Sequence, residues 1–497
     1  MNWNNGFRAA LRALLLAAFL GAPGLAATAS AAGEGTPPVP ETTAPQEQPL
    51  SGETTTVQSA PVPAVREAPV EQSQTVPAAV ESAPTVTMLT LSQCIEIALK
   101  KNPNILAATY GVDVNRSRVG EARSGYYPQL SAQAAYSRIS PVQGTTSAVS
   151  TAGTSSATTA GPTAFDQYTS SVNLNQNIVD FGKTSSQVDV SKYNLASSRW
   201  DLNTTQDAII LSVKQAYYGV LTAKRNRDVA ADVLKQFQLH LDQAKGFYDV
   251  GTKARIDVIK AEVDLSNAKL SLINAENALK IAWVTLSTAM GTPDAPEYTI
   301  EDNLSFQQYP ITLEEATARA FENRPDLKSD IAKREAAERN ISLQRSGYYP
   351  ILSGNASYYW SGETTSALDH GWSAGVVLTV PLFSGFLTQQ QVAEAKANLY
   401  IQKSNEEALR QQILLDVRQA YLNLQASEAS IGTAELASKQ AKENLDLANG
   451  RYAAGVGSPI EVSDAFATYV TAQANYTGAL SNYKIAQASI EKAMGAR

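Results

Sequence analysis

Cysteine is almost absent from the 497 residues: Cys94 stands alone, and His240 and His370 are the two histidines. A lone cysteine excludes an intrachain disulfide framework. With two scattered histidines it also leaves no Cys/His metal set, so neither a metal nor a cofactor is expected. Long apolar runs are missing too. Past residue 20 no stretch reaches the roughly 18 apolar residues of a spanning helix, so a chain like this crosses a bilayer with strands or not at all. Positive charge is not in excess: 40 basic against 47 acidic side chains give a net charge of −7, and no nucleic acid is expected as a partner. No nucleophile–base pair, phosphate loop or metal spacing appears, and the carboxylates have no partner suited to acid/base work. An enzyme is therefore not expected.

What the chain does have is repetition. Ser124-Gly125-Tyr126-Tyr127-Pro128 returns letter for letter as Ser346-Gly347-Tyr348-Tyr349-Pro350, 222 residues later. Before each copy the apolar residues recur at helical spacing; after it they alternate, as Leu130, Ala132, Ala134 and Tyr136 do. Proline stops the helix because its ring fixes φ and removes a donor. Upstream, Thr90-Leu91 through Asn102-Pro103 matches Thr312-Leu313 through Arg324-Pro325 at the same spacing, with Thr90 and Thr312 placed to cap. Cys94 falls opposite Ala316, the place of a small buried residue.

Downstream the spacing becomes 204, as Tyr248-Asp249-Val250-Gly251 against Tyr452-Ala453-Ala454-Gly455 and Ala289-Met290-Gly291 against Ala493-Met494-Gly495 show. The change falls in one loop, Ile139 to Phe165 in the first half and Ser361 to Asp369 in the second. A place that absorbs length so freely is expected to be an exposed loop tip, with Thr145 to Gly161 outside the cell and His370 on the surface.

The organisation follows. Residues 1–31 read as an export signal, with Arg8 and Arg12 before the run Ala13 to Leu20 and small residues at Ala29-Ser30-Ala31. Residues 32–87 form a proline-rich leader, expected to be disordered because it has too little apolar surface to bury. The first repeat covers 88–305, with strands about 128–138 and 167–177 and a long helix about 182–248. The second covers 306–497, with strands about 350–360 and 371–381 and a long helix about 386–452. Each long helix would span about 100 Å, and the helices from Arg255 and Pro459 about 54 Å. Leu195, Leu202, Ile209 and Ala216 recur every seven residues, a coiled-coil signature. Trp372, Ala374, Val376, Leu378 and Val380 share one strand face; a barrel wall and a soluble hairpin with one dry face both have this alternation.

The constellation resembles the TolC family of outer-membrane efflux and secretion channels. Its carriers are the paired openings (Leu91, Ala98, Leu99, Asn102, Pro103), the doubled Gly-Tyr-Tyr-Pro, the strand exit Pro381-Leu382-Phe383-Ser384-Gly385, and the turn Tyr452, Gly455, Glu461, Val462, Asp464. The resemblance implies an α+β membrane protein: a homotrimer whose twelve-stranded transmembrane β-barrel, four strands per chain, continues into a long periplasmic α-helical coiled-coil barrel. It implies an outer-membrane exit duct, with a periplasmic adaptor protein and an inner-membrane pump as partners. Physics asks for the same oligomer, since four strands cannot close a barrel and open edges are not tolerated in lipid.

The resemblance also assigns residues. Asp464, Glu461 and Asp257 are the expected acids of the constriction and Tyr452 its tyrosine, while Gly251, Gly455, Lys253 and Arg255 mark the periplasmic tips and adaptor contact. Gly457 stands where the family's best-known member has an arginine, so Lys253, Arg255 or Arg451 is the expected substitute. Tyr126, Tyr127, Tyr348 and Tyr349 are placed at the inner membrane interface, and Tyr136, Tyr358 and Trp360 towards the outer one. A trimeric coiled-coil adhesin with a barrel anchor is the rival; it predicts one terminal anchor, whereas the strands here recur in mid-chain. A soluble adaptor predicts no such strands.

Overall fold

The computed structural model describes residues 88–140, 164–293 and 298–496. The expected signal, the leader and the segment Thr145 to Gly161 lie outside the described residues. In chain order the elements are β1 (Met88–Leu89), α1 (Leu91–Lys101), α2 (Pro103–Ser124), β2 (Gln129–Ile139), β3 (Phe165–Val179), α3 (Lys183–Asp249) and α4 (Arg255–Ala289). The second half repeats them as β4 (Thr299–Ile300), α5 (Leu313–Asn323), α6 (Pro325–Arg345), β5 (Ile351–Thr364), β6 (Ala367–Thr379), α7 (Leu387–Ala453) and α8 (Pro459–Ala493). Both long helices have the expected 67 residues, shifted by one.

The caps explain the boundaries. Thr90 accepts a hydrogen bond from the amide of Gln93 and forms a capping box, and Thr312 accepts from Glu315. Pro103 and Pro325 open the next helices at their first positions, where no amide is needed. The repeated Met-Gly motifs lock onto these junctions. A Cβ on Gly291 would lie 2.7 Å from Cα of Asn102, and one on Gly495 2.8 Å from the amide of Arg324. Each half thus closes a helix end against its own X-Pro corner. Cys94 and Ala316 are both fully buried there, and burial pushes the Cys94 thiol up to about 11.

The four long strands form one antiparallel sheet in the order β2-β3-β5-β6. One correction concerns the second hairpin. The expected loop Ser361 to Asp369 is mostly strand, and Thr365-Ser366 alone join β5 to β6. A period-two pattern carried through polar residues hid this extension. His370 therefore sits in β6 opposite Trp360, although its side chain is exposed as expected.

The register sorts the two faces. One row across the sheet is Ala132, Val172, Tyr358 and Trp372; the next is Ser131, Asn173, Ser357 and Ser373. Within the polar row the Ser357 hydroxyl donates to Oδ1 of Asn173 at 2.7 Å. Every residue of β2 is exposed, and Trp372 keeps 74% of its surface open. A soluble hairpin buries one face; no described element of this chain covers either face, and β2 and β6 leave both edges unpaired.

At each strand-to-helix joint two successive residues are left-handed: Phe181 (49°) with Gly182 (92°), and Gly385 (61°) with Phe386 (66°). Phenylalanine in that region is uncommon and costs on the order of 1 kcal/mol. In the first joint Asp180 offsets it, accepting from the amides of Gly182 and Thr184 at 3.2 and 2.8 Å. Phe181 packs near Tyr349, and Phe386 meets Phe383 edge-on. These phenylalanines, the 93% exposed Leu382 and Tyr126, Tyr127, Tyr348 and Tyr349 are all exposed around the strand–helix joints.

The helices lie side by side. Near the sheet α3 packs between α2 and α6, and α6 packs on α7; towards the other end α3 packs between α4 and α8, and α8 on α7. The outer helices carry apolar stripes with no described partner: Ile256, Ile259, Val263, Leu270 and Ile273 on α4, and Ile401, Leu415, Leu422 and Leu436 on α7. The α7 stripe keeps to multiples of seven residues, the period of a coiled-coil seam.

Candidate functional site

The hairpin tips gather most of the residues assigned to the constriction. Gly251 (74°) and Gly455 (81°) supply the left-handed positions of the two turns. Behind them α3, α4, α7 and α8 enclose a small core built on Phe237, Leu241, Val462 and Phe466. Tyr452 belongs to it with 1% of its surface exposed. Its ring lies 4.4 Å from that of His240 and 5.9 Å from that of Phe247, with Nζ of Lys253 5.9 Å from its centroid. Tyr452 thus ties its own hairpin to the other one. Full burial of such a ring stabilises by roughly 2 kcal/mol, and burial, then the charge of Asp257, raise its phenol pKa.

The acids lie elsewhere on the tip. Glu461 and Asp464 are exposed on one side of α8 while Val462, Ala465 and Phe466 turn inward. Asp257, in the first turn of α4, is half-buried. Of the three candidate cations, Arg451 is the one that reaches an acid, its Nε 3.3 Å from Oε2 of Glu461. With both side chains about half exposed the pair contributes at most about 1 kcal/mol. Lys253 is taken by Tyr452, and Arg255 and Asp464 make no ion pair among the described residues. An arginine at Gly457 would not fit this turn: a Cβ there would stand 2.7 Å from the amide nitrogen of Tyr452.

His240 was expected to be solvated or packed; it is packed, 5% exposed, with Nε2 hydrogen-bonded to nothing among the described residues. Its place was legible, because Val233, Phe237, His240 and Ala244 recur at helical spacing on the inner face of α3. The burial of Tyr452 was not, since its repeat partner Tyr248 remains 45% exposed.

Burial lowers the His240 pKa below 6.5; Lys260 acts in the same sense, and Asp264 and Asp257 oppose it. A base depressed in the packed tip favours packing fully above its free value and loses that contribution as pH falls below about 6.5. Acid is therefore expected to loosen the tip. Proteolysis at the Gly251 and Gly455 turns should quicken as pH falls below about 6.5, and His240→Phe, which keeps a ring and removes the proton site, should flatten the rise. An identical pH profile in the variant would remove His240 from the response.

The comparisons with known proteins agree with this fold. The family model described as outer membrane efflux protein matches residues 94–292 and 317–496, one match per repeat. The outer membrane protein TolC of Vibrio cholerae is 23% identical over 414 residues, covering 82% of this chain and 90% of that protein. TolC of Escherichia coli is 25% identical over 425 residues, covering 82% of each. The outer membrane channel CmeC of Campylobacter jejuni superposes with a TM-score of 0.70 at 17% identity, over 86% of this chain and 94% of that one. The expected fold class stands: an α+β membrane protein of two tandem repeats, with one four-stranded sheet and a long helical layer. With a matched unit in each repeat, spanning far more than half of its length, this chain belongs to the outer membrane efflux protein family.

Proposed function

We propose that the chain is the outer-membrane exit duct of a tripartite efflux pump or type I secretion system. It acts as a passive channel that hands substrates from periplasmic and inner-membrane partners to the exterior. The carrying observation is the sheet: one apolar face, one polar face, both uncovered and both edges open, continuous with helices about 100 Å long. Three copies close twelve strands, turn the Ala132–Trp372 row to lipid and leave the Ser131–Ser373 row around water. The same closure brings the α7 stripe of one copy onto the apolar edge of the next. The tips at Gly251 and Gly455, with Lys253 and Arg255, are where a periplasmic adaptor protein docks and links the duct to an inner-membrane pump. The adhesin reading lacks support, because both repeats send strands into the same sheet.

Glu461 and Asp464 narrow the tip and select for cations. They share an exposed helix face, and in a trimer three copies of each surround the axis, as charged rings do in other pores. Replacing both with alanine should raise single-channel conductance and weaken cation preference, with the trimer unchanged. Unaltered selectivity would leave these acids as ordinary residues near a helix start, with Glu461 in the first turn, where it suits the helix dipole.

A further inference from the structure

Between α3, α4 and β4, about 60 Å along α3 from the sheet, lies a cavity of about 720 Å³. Its back wall is aromatic and fixed. Trp283 meets Tyr298 edge-on at 5.2 Å, and the Tyr298 hydroxyl shares a 3.2 Å hydrogen bond with Ser287. The parallel pairing of β4 with β1 holds the adjoining Thr299 and Ile300 in place. Around the opening stand Lys224, Arg227 and Lys280, with Glu276 as the single carboxylate of the lining. Lys224 and Lys280 make no ion pair among the described residues. Nε of Arg227 lies 3.0 Å from Oδ1 of its chain neighbour Asp228, an ion pair out of hydrogen-bond alignment.

The duplication supplies an internal control. At the spacing of 204 the counterparts of Lys224, Arg227, Leu279 and Trp283 are Glu428, Ile431, Tyr483 and Gln487. There the hollow is filled. Tyr483 is fully buried, receives the amide of Tyr309 at 2.9 Å, donates to the carbonyl of Gln307 and packs on Phe306, while Gln308 reaches Glu428. The same framework is thus packed shut in one repeat; in the other it is open, aromatic and cationic. Collapse was available to this fold and did not occur, and the lining carries three cations against one carboxylate.

We infer that this cavity binds a small anionic ligand with a flat apolar ring, an aromatic carboxylate, sulfonate or phosphate. The ring stacks on the Trp283–Tyr298 wall, and the anion accepts hydrogen bonds from Arg227 and the two lysines. The test is calorimetric titration of the detergent-solubilised trimer with naphthalene-2-sulfonate, using the neutral 2-naphthalenemethanol as its counterpart. Saturable binding at one site per protomer is expected, with the neutral probe at least about tenfold weaker, the size of one lost charge-assisted bond. Arg227→Gln with Lys280→Gln should weaken the sulfonate by about tenfold or more and leave the neutral probe unaffected. Trp283→Ala should weaken both. Non-saturable uptake, equal affinity for the two probes, or indifference to the charge variants would mean partition into detergent and would overturn the site. Circular dichroism and the oligomeric state of each variant separate a lost site from a lost fold.

Discussion

Leu415→Glu combined with Leu422→Glu is expected to abolish the trimer. Both side chains are more than half exposed on α7 and lie one heptad apart on its apolar stripe. In the proposed trimer that stripe faces the apolar edge of the neighbouring copy, so each substitution places a carboxylate in a dry seam with no cation designed to meet it. Unpaired buried charge costs several kcal/mol per group after relaxation, and threefold symmetry repeats the insult at every interface. Little inside the protomer is disturbed, because both leucines face outward and neither belongs to a buried core cluster. The expected result is loss of the trimer in native electrophoresis and light scattering, with the helical signal of the protomer retained. A trimer of ordinary stability would show that α7 does not line the seam.

Gly457→Ala is expected to spring the tip open. The added Cβ would press within 3.0 Å of the backbone of Arg451 and Tyr452, where no side chain can swing aside. The turn must move, and Tyr452 stands at the point of pressure. Overpacking of this kind costs roughly 1–3 kcal/mol, which is about a 5- to 150-fold shift in a closed-to-open ratio. Single-channel recordings should show higher conductance or open probability with the barrel intact. Unchanged conductance would mean that the turn relaxes outward and leaves the tyrosine seated.

The sequence disclosed the long elements because their causes are local. Between Gly182 and Tyr248 no proline interrupts and few glycines weaken the helix, so its 67 residues were countable. The strands were legible from alternation, and the duplicated motifs fixed the order of parts. The short hairpin Thr365-Ser366 escaped notice because polar residues extend both its strands. Pairings between elements were out of reach. That Arg451 rather than Lys253 or Arg255 meets Glu461, and that Tyr452 is buried while Tyr248 is not, depends on how two hairpins far apart in sequence lie together. The excluded Cβ at Gly457 is a property of a folded turn. The open cavity at Trp283 shows only when its filled counterpart at Tyr483 is set beside it.

The two unbroken helices make each protomer a pair of levers. On one side of them the neighbouring helices α2 and α4 are separate, meeting near Gly291 and Asn102, but α3 and α7 run the whole distance. A rod of about 100 Å that tilts by roughly 6° about its membrane end carries its tip sideways by about 10 Å. Such a tilt asks almost nothing of the hydrogen-bonded sheet, whose strands would turn by less than their natural twist relative to one another. With leverage of this kind, the proposed control of the aperture needs only a weak contact at the far end, an exposed ion pair and one seated tyrosine, and no work done on the barrel.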